Sequence, residues 1–538
     1  MKSEISIAIP IKFLQKVSRF FKKYALLLVV YSLALVSVGA FTLYYQNGLG
    51  LAYNDARSHL DIGRRVVEGL KPGLAQLGSV WLPLPHILIA LTVWNDFMWH
   101  SGLAGAIVSM LSFVGTGWLI FKFLEKLGVG LFGCIFGVLV FAANINVLYL
   151  QSTAMTEMLL VATMTAGCYY LMLWQKDDNL LHLIKAAFWT MLATMVRYDG
   201  WFLFLFVAVL VALLFFKKGG YKVAEGASIL FSTMGGFAIA LWFLWNWLIF
   251  KDPFYFAFGP FSARVQQRQM EAAGVLTTKG NFLFSLKVYL YAFLYNSIAF
   301  TAIMGVFGAC ALWLTKKIPA GVRVATVALL APLFFNVAAL YFGHSVLFVQ
   351  GLSGDTWFNV RYGVMLMPAV AIFSGFLVNR FKDVRWLIFG LFCFVTFFAF
   401  VNSDSVAIDD ARVGSSQKNV SEVSGWLKRN AKNEKGFILI SAASHDAIIF
   451  SSGLPMKRFI HEGTGNYWKE ATTMPDKWAR WMVMRTYDDN DMTYKAVKDT
   501  PGFQMYDLVD SYPFADIYQL RAEYLPDLIT EPILGKQK

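Results

Sequence analysis

Charge is scarce in this chain. Only 15% of its 538 residues are Asp, Glu, Lys or Arg, where a soluble domain carries about a quarter. Cysteine is scarcer still: Cys134, Cys168, Cys310 and Cys393 all lie inside apolar segments, and none falls in the polar C-terminal stretch. That placement excludes a disulfide framework and a cysteine metal site, and it predicts four buried small hydrophobes. There is no P-loop, HExxH or Gly-x-Ser-x-Gly elbow, so the signatures for cradling nucleotide phosphates or hydrolysing through zinc or serine are missing. Internal repeats and low-complexity tracts are also lacking.

Apolar length is abundant. The chain is 57% hydrophobic and 17% aromatic, with 49 Phe and a mean hydropathy of +0.54. Apolar stretches recur from Tyr24 to Val401, many beyond the roughly 18 residues that mark a membrane helix. Lipid offers no hydrogen bonds to a backbone, so these stretches are expected to be helical. The formal charge of +13 does not point to nucleic acid, because most Lys and Arg cluster between apolar segments. The N-terminal basic residues precede a long apolar run with no small-residue cleavage site, which predicts a retained first span.

About eleven spans are expected, near 24–46, 101–121, 128–149, 156–174, 183–197, 201–216, 226–250, 288–314, 322–343, 362–379 and 385–402. Lys12, Lys16, Arg19, Lys22 and Lys23 place the N-terminus in the cytoplasm. Alternate connections are then basic, at Lys122 and Lys126, Lys176, Lys217 to Lys222, Lys316 to Arg323, and Arg380 to Arg385. Val80–Trp99 is apolar but carries Pro83, Pro85, His86 and Asp96. Counting it as a span would put every later basic cluster outside, so it reads as a re-entrant or surface helix in a first external loop, 47–100. The expected organisation is an all-α polytopic membrane domain, 1–402, followed by a small extracytoplasmic α/β domain, 403–538. In the latter, Ser421–Asn430 reads as helix, and Gly436–Ser441 and Ala447–Phe450 read as strands. The predicted location is the plasma membrane.

The informative polar residues sit on the external side. In Tyr53-Asn54-Asp55-Ala56-Arg57-Ser58-His59-Leu60-Asp61, an amphipathic pattern predicts a helix along the membrane surface. Asp55 and His59 share one helix face, and Asp55 reads either as a helix cap or as a carboxylate able to accept a proton from a hydroxyl. Glu157 opens a helix, where the dipole favours an anion. Arg197 and Asp199 in Arg197-Tyr198-Asp199-Gly200-Trp201 read as an internal pair or as part of a polar cavity. Arg361 in Asn359-Val360-Arg361-Tyr362 reads as a phosphate fork or a snorkelling side chain. Arg264, Gln266, Gln267, Arg268 and Lys279, among Phe254, Tyr255 and Phe258, suit an anionic headgroup or a solvated helix. Acidic and basic groups from four connections thus share one face, while the helix interiors lack Asp and Glu. A transporter more often places ionisable groups near the midplane.

These residues resemble the GT-C membrane glycosyltransferases, in the branch of the dolichyl-phosphate-mannose protein mannosyltransferases and bacterial aminoarabinose transferases. The resemblance runs from about Tyr24 to Asn402. It rests on Asp55 after the first span, the amphipathic Ile62–Gly69 run, the proline-containing segment near Trp81, Glu157, Arg197–Trp201, and Arg361-Tyr362 before Met365-Leu366-Met367-Pro368. It implies inverting transfer of a sugar, mannose being the candidate, from a polyprenyl-phosphate donor to a hydroxyl of a protein, lipid or glycan. Asp55 would be the general base and Glu157 the second acidic position. Arg361, Arg197, Arg264 and Arg268 would face the donor phosphate. Tyr53, Arg57, His59, His86, Asp199 and Tyr362 would line the donor or acceptor pocket. No cofactor is fixed by the sequence; a divalent metal (Mg or Mn) on Asp55, Glu157 and His59 is the candidate. The chain departs from the family in lacking the Glu-Lys before paired prolines, where it reads Gly78-Ser79-Val80-Trp81-Leu82-Pro83-Leu84-Pro85-His86. It also has Ala56 in place of a second acid, and no Trp-Trp-Asp in the tail. In the tail, His461–Trp468 would help hold the acceptor or simply cap the membrane domain. A lipid-linked sugar transporter, and a scaffold presenting the external domain to partners, are the competing readings.

Overall fold

The computed structural model describes residues 11–259, 262–413, 417–489 and 491–533. The side chains of Lys12, Lys16, Arg19, Lys22 and Gln266 lie outside the described part. Each of the eleven expected segments is helical. Among the described residues, seven helices are long and apolar enough to cross a membrane, or eight if one bent pair counts as a span. This is a multi-pass membrane protein.

The smaller number has three causes. The expected segments 201–216 and 226–250 lie in one helical run, Tyr198–Phe250, broken at Gly220 with φ 74°, a conformation glycine adopts without steric cost. Leu131–Ala142 and Leu180–Thr194 are apolar but short. The expected span 288–314 is bent by 109° between Phe282–Ser297 and Ala299–Leu314. The break falls on Ile298 at φ 63°, a region in which a β-branched residue is strained. The neighbouring Asn296 holds the break: its amide donates to Val360 O at 2.7 Å, and its carbonyl accepts from Asn144 at 2.7 Å. The chain is thereby tied to the turn that carries Arg361.

Small residues let the central helices approach closely, as is usual where lipid removes the hydrophobic incentive to pack. A Cβ on Gly308 would lie 2.0 Å from Phe373 O, and one on Gly137 would lie 2.8 Å from Ala371 O. The outer helices instead turn Trp386, Leu387, Phe394 and Phe397 outward, as an apolar surrounding permits. Two of the four cysteines differ from expectation for this reason. Cys134 and Cys168 are buried, but Cys310 and Cys393 are exposed on outward faces.

The stretch 47–100, expected as a first external loop, forms a helix, Asn54–Val67, then two short helices, Leu84–Ala90 and Asp96–His100. Val80–Trp99 is therefore no continuous span. The C-terminal region carries a five-stranded sheet of β1 (Phe437–Ile440), β2 (Phe459–Ile460), β3 (Ala479–Met484), β4 (Tyr506–Ser511) and β5 (Asp516–Leu520), in the order β2-β1-β3-β5-β4. The first three are parallel and the last two antiparallel. Ser421–Asn430 falls in the helix Gln417–Asn430, and Gly436–Ser441 contains β1. Ala447–Phe450, expected as a strand, is part of the helix Ala442–Ser452. A short, wholly buried apolar run carries no periodicity to separate the two. Glu462 decides it by accepting from the first helical amides, Ala442 N at 2.9 Å and Ala443 N at 2.6 Å.

This helix docks on Asn54–Val67. Arg65 Nη1 donates to Asp446 Oδ1 at 2.7 Å, and Trp99 Nε1 donates to Asp61 Oδ1 at 3.0 Å. Burial pushes the carboxyls of both Asp61 and Asp446 above the usual range, while Arg65 pulls them back down. An acid with a raised native pKa binds more protons folded than unfolded, so it loses stability as pH rises. The contact is therefore expected to be firmest near pH 5 and weaker at pH 7.5, once the ordinary carboxylate value of about 4 has been passed. Limited proteolysis of the C-terminal region at the two pH values checks this, and Asp61→Asn should flatten the difference.

Candidate active site

The site is built around one guanidinium. Arg361 lies in the 3-10 turn Val360–Leu366, at the end of the break described above. Its Nε donates to Glu157 Oε1 at 3.0 Å, Nη1 to Asp410 Oδ2 at 3.3 Å, and Nη2 to Asp55 Oδ2 at 2.8 Å. The Tyr53 and Tyr362 rings lie 4.6 and 5.3 Å from it. All three nitrogens are thus engaged by carboxylates, the charge-assisted geometry that suits a planar fork.

The three carboxylates differ in exposure. Side chains of Glu157 and Asp410 are 0% and 2% exposed, whereas Asp55 is 46% exposed. Asp55 sits in the first turn of Asn54–Val67 without acting as its cap: the capping position is Tyr53, whose side chain makes no capping bond. Asp55 is the face of the cluster that solvent reaches.

A second guanidinium extends the network. Arg197 Nη1 donates to Glu157 Oε1 at 3.2 Å and Nε to Asp199 Oδ2 at 3.2 Å, and it lies 4.8 Å from the Tyr362 ring. The internal Arg197–Asp199 pair and the polar cluster are therefore both present. Glu157 Oε2 and Asp199 Oδ1 are buried acceptors with no protein partner, where a water or a substrate hydroxyl can donate.

Asp410 was not legible in the sequence. Its Oδ2 is also 3.1 Å from the Tyr53 hydroxyl, and its Oδ1 accepts from Asn359 N at 3.2 Å. The available signal was Asp409-Asp410 just past the last apolar segment, on the same side as the other acids. It sits on Val406–Val413, so the start of the C-terminal stretch is part of the site.

Other expected residues fall around or away from the cluster. His59 Nδ1 and His86 Nε2 are 2.9 Å apart, with Trp81 4.4 Å from His59. Burial pushes His59 down to about 4 and His86 well below its ordinary value. Both are neutral at pH 7, and through them the Asp55 helix, which carries His59, packs on the helix Leu84–Ala90, which carries His86. Arg57 is half-buried, its Nε donating to Leu51 O at 3.0 Å. Arg264 and Arg268 are exposed on Ala263–Ala272; Arg264 lies 4.9 Å from the Phe258 ring, and neither forms an ion pair with the cluster among the described residues. Asp55, Glu157 and His59 do not fit a shared metal, since Arg361 stands between the carboxylates and His59 faces His86. Among the described residues no three His, Cys, Asp or Glu side chains are grouped so that they could hold a metal ion.

Beside the surface helices runs an apolar groove of about 420 Å³, lined by Leu91, Leu111, Trp118, Leu159 and Trp189 among others. It lies against Leu103–Lys126 and Glu157–Asp177, the helix that begins with Glu157.

A polytopic helical bundle with a polar helix after its first span and a small C-terminal sheet is a fold this chain shares with solved membrane-protein structures. Among solved structures, ArnT from Cupriavidus metallidurans bound to undecaprenyl phosphate aligns with 90% of this chain and 98% of its own, at 13% identity and a TM-score of 0.55. Its apo state gives 12% identity and 0.52 over the same shares. The Archaeoglobus fulgidus oligosaccharyltransferase in the apo form aligns with 93% of this chain and 75% of its own, at 12% identity and 0.50. At such identities the likeness is one of fold. No family model and no curated protein sequence matches the chain.

Removing Arg361 would leave the buried Asp410 carboxylate without its cation and Glu157 with Arg197 alone. Arg361→Met is expected to cost about 3–5 kcal/mol, as breaking a buried pair does, and to lower the melting temperature of the detergent-solubilised protein. Arg361→Lys should cost less, since one ammonium keeps the charge but not three directed bonds.

Proposed function

We propose that this protein is a membrane glycosyltransferase that moves a sugar from a polyprenyl-phosphate donor to an acceptor hydroxyl on the extracytoplasmic face, with inversion. The observation that carries the reading is the half-exposed Asp55 carboxylate set against the buried Arg361 guanidinium. One is a base open to an incoming hydroxyl, and the other a cation suited to a phosphate. The fold supports it, because ArnT of the same architecture is a structure bound to undecaprenyl phosphate.

In this reading Asp55 takes the acceptor's proton as the acceptor oxygen bonds to the anomeric carbon. The bond from that carbon to the phosphate oxygen breaks, and its electron pair leaves with the polyprenyl phosphate, whose charge Arg361 stabilises. Glu157 holds Arg361 and Arg197 in place and, through Oε2, offers the acceptor a hydrogen-bond partner. Arg264 and Arg268 lie at the headgroup level, and the apolar groove accommodates hydrocarbon. The sugar is mannose or a related hexose, and the acceptor a protein, lipid or glycan hydroxyl. The N-terminus lies in the cytoplasm and the sheet region outside, as the basic connections require. No step here passes through a metal.

The test is transfer of radiolabel in proteoliposomes from polyprenyl-phosphate sugars to a membrane acceptor extract. Wild type is expected to yield a labelled product, and Asp55→Asn to lower its rate by about 10²–10⁴-fold while donor binding persists. Movement of the lipid between leaflets with no transfer, equal for both residues at position 55, would establish a transporter instead.

A further inference from the structure

The Asp55–Arg361 contact has a geometric consequence for that reading, on which the following rests. In an inverting displacement the attacking and leaving oxygens lie on opposite sides of one carbon. The groups serving them must be parted by a sugar; inverting glycosidases hold theirs roughly 6.5–9.5 Å apart. Asp55 Oδ2 and Arg361 Nη2 are 2.8 Å apart. In this arrangement no sugar fits between them, and the Oδ2 that would take the proton already accepts a bond from a cation.

The surroundings fix which partner moves. Arg361 is clamped by Glu157 and Asp410, both buried, and lies against the Tyr53 and Tyr362 rings. Asp410 is itself tied to Tyr53 and Asn359 N. Asp55 is the exposed ligand of the three. Its helix is pinned at the far end, where Arg64 donates to Val93 O and Trp94 O at 2.7 Å and Arg65 to Asp446. Asp55 is the ligand of the guanidinium that solvent reaches, and it can leave by rotating its own side chain.

We propose that the Asp55–Arg361 ion pair is a donor-operated latch: the donor's phosphate replaces Asp55 on Arg361, and this exchange frees Asp55 to act as base. Without donor the base is held by the cation; with donor the same cation holds the phosphate. Water is then not activated at Asp55 before a sugar is in place. The exchange trades one anionic ligand of Arg361 for another, so the buried charges on Glu157 and Asp410 stay compensated throughout.

Carboxyl labelling of the purified full-length protein tests this. A carbodiimide and an amine modify Asp55, quantified by peptide mass spectrometry with Asp55→Asn as the peptide control. Undecaprenyl phosphate is the probe, undecaprenol the control without phosphate, and binding of each is measured in the same samples. Releasing a half-exposed ion pair should raise Asp55 labelling about two- to fivefold, the worth of such a pair. Undecaprenol should leave it unchanged, and Arg361→Lys should show the raised level without any lipid. If undecaprenyl phosphate binds but Asp55 labelling stays level or falls, the latch is wrong while the transferase reading stands. A rise with undecaprenol as well also overturns it, since the phosphate would not be the cause. Absence of phosphate-dependent binding would remove both.

Discussion

An arginine placed where several helices meet, away from bulk water, must be compensated, and the site is organised by that requirement. A lone buried ion costs several kcal/mol even after relaxation. Arg361 meets the cost with carboxylates from three distant parts of the chain: Asp55, Glu157 and Asp410. No two of these belong to the same helix, so the ion cluster forms only when the surface helix, the helix beginning at Glu157 and the helix Val406–Val413 are all in place. The bend at Ile298, with Asn296 bonded to Val360 O and to Asn144, brings the fourth element, the turn that carries Arg361 itself. Fold and site thus depend on one another through a single guanidinium.

Much of this was legible in the sequence because membrane helices and external charges write strong signals. The apolar runs gave the helices, and the alternation of basic connections set apart one group of connections, among which Asp55, Glu157, Arg197, Asp199 and Arg361 were singled out. All five join one network. What failed did so for local reasons. Ala447–Phe450 is buried all round, so its pattern could not distinguish strand from helix, and the deciding group, Glu462, lies beyond β2. The bend in 288–314 depends on an unusual backbone at Ile298 that no apolar pattern records. Asp410 stood beside Asp409 in a stretch assigned to a separate domain, and its role depends on Tyr53 and Arg361, which are far away in sequence. Arg264 and Arg268 read well as headgroup contacts, yet their helix is exposed and takes no part in the cluster.

The C-terminal stretch is joined to the membrane helices at two levels. Tyr53 bonds Ala407 O at 2.7 Å at one end of the surface helix, and Arg65 bonds Asp446 at the other. The helix bearing Asp55 is therefore held between the bundle below and the sheet region above. Its buried face packs through its own His59 on His86, two neutral imidazoles bonded to each other. A helix of 14 residues has little stability alone in water. These contacts give Asp55 a fixed origin while leaving its side chain free.

The charge balance of the cluster points the same way. Among the described residues, Asp55, Glu157, Asp199 and Asp410 form ion pairs with Arg197 and Arg361 alone, an excess of acid into which an anionic phosphate would not enter by simple addition. It can enter by exchange. If Asp55 gives up its place, the number of anions on Arg361 is unchanged, and the displaced carboxylate moves towards water, where its charge costs least. A carboxylate accepting a proton in the same event loses its charge altogether, which relieves the excess as the phosphate leaving group gains its own. The acid-rich composition that would repel a donor from a rigid site thus becomes a driving force for proton uptake by Asp55 in a site where one ligand can leave.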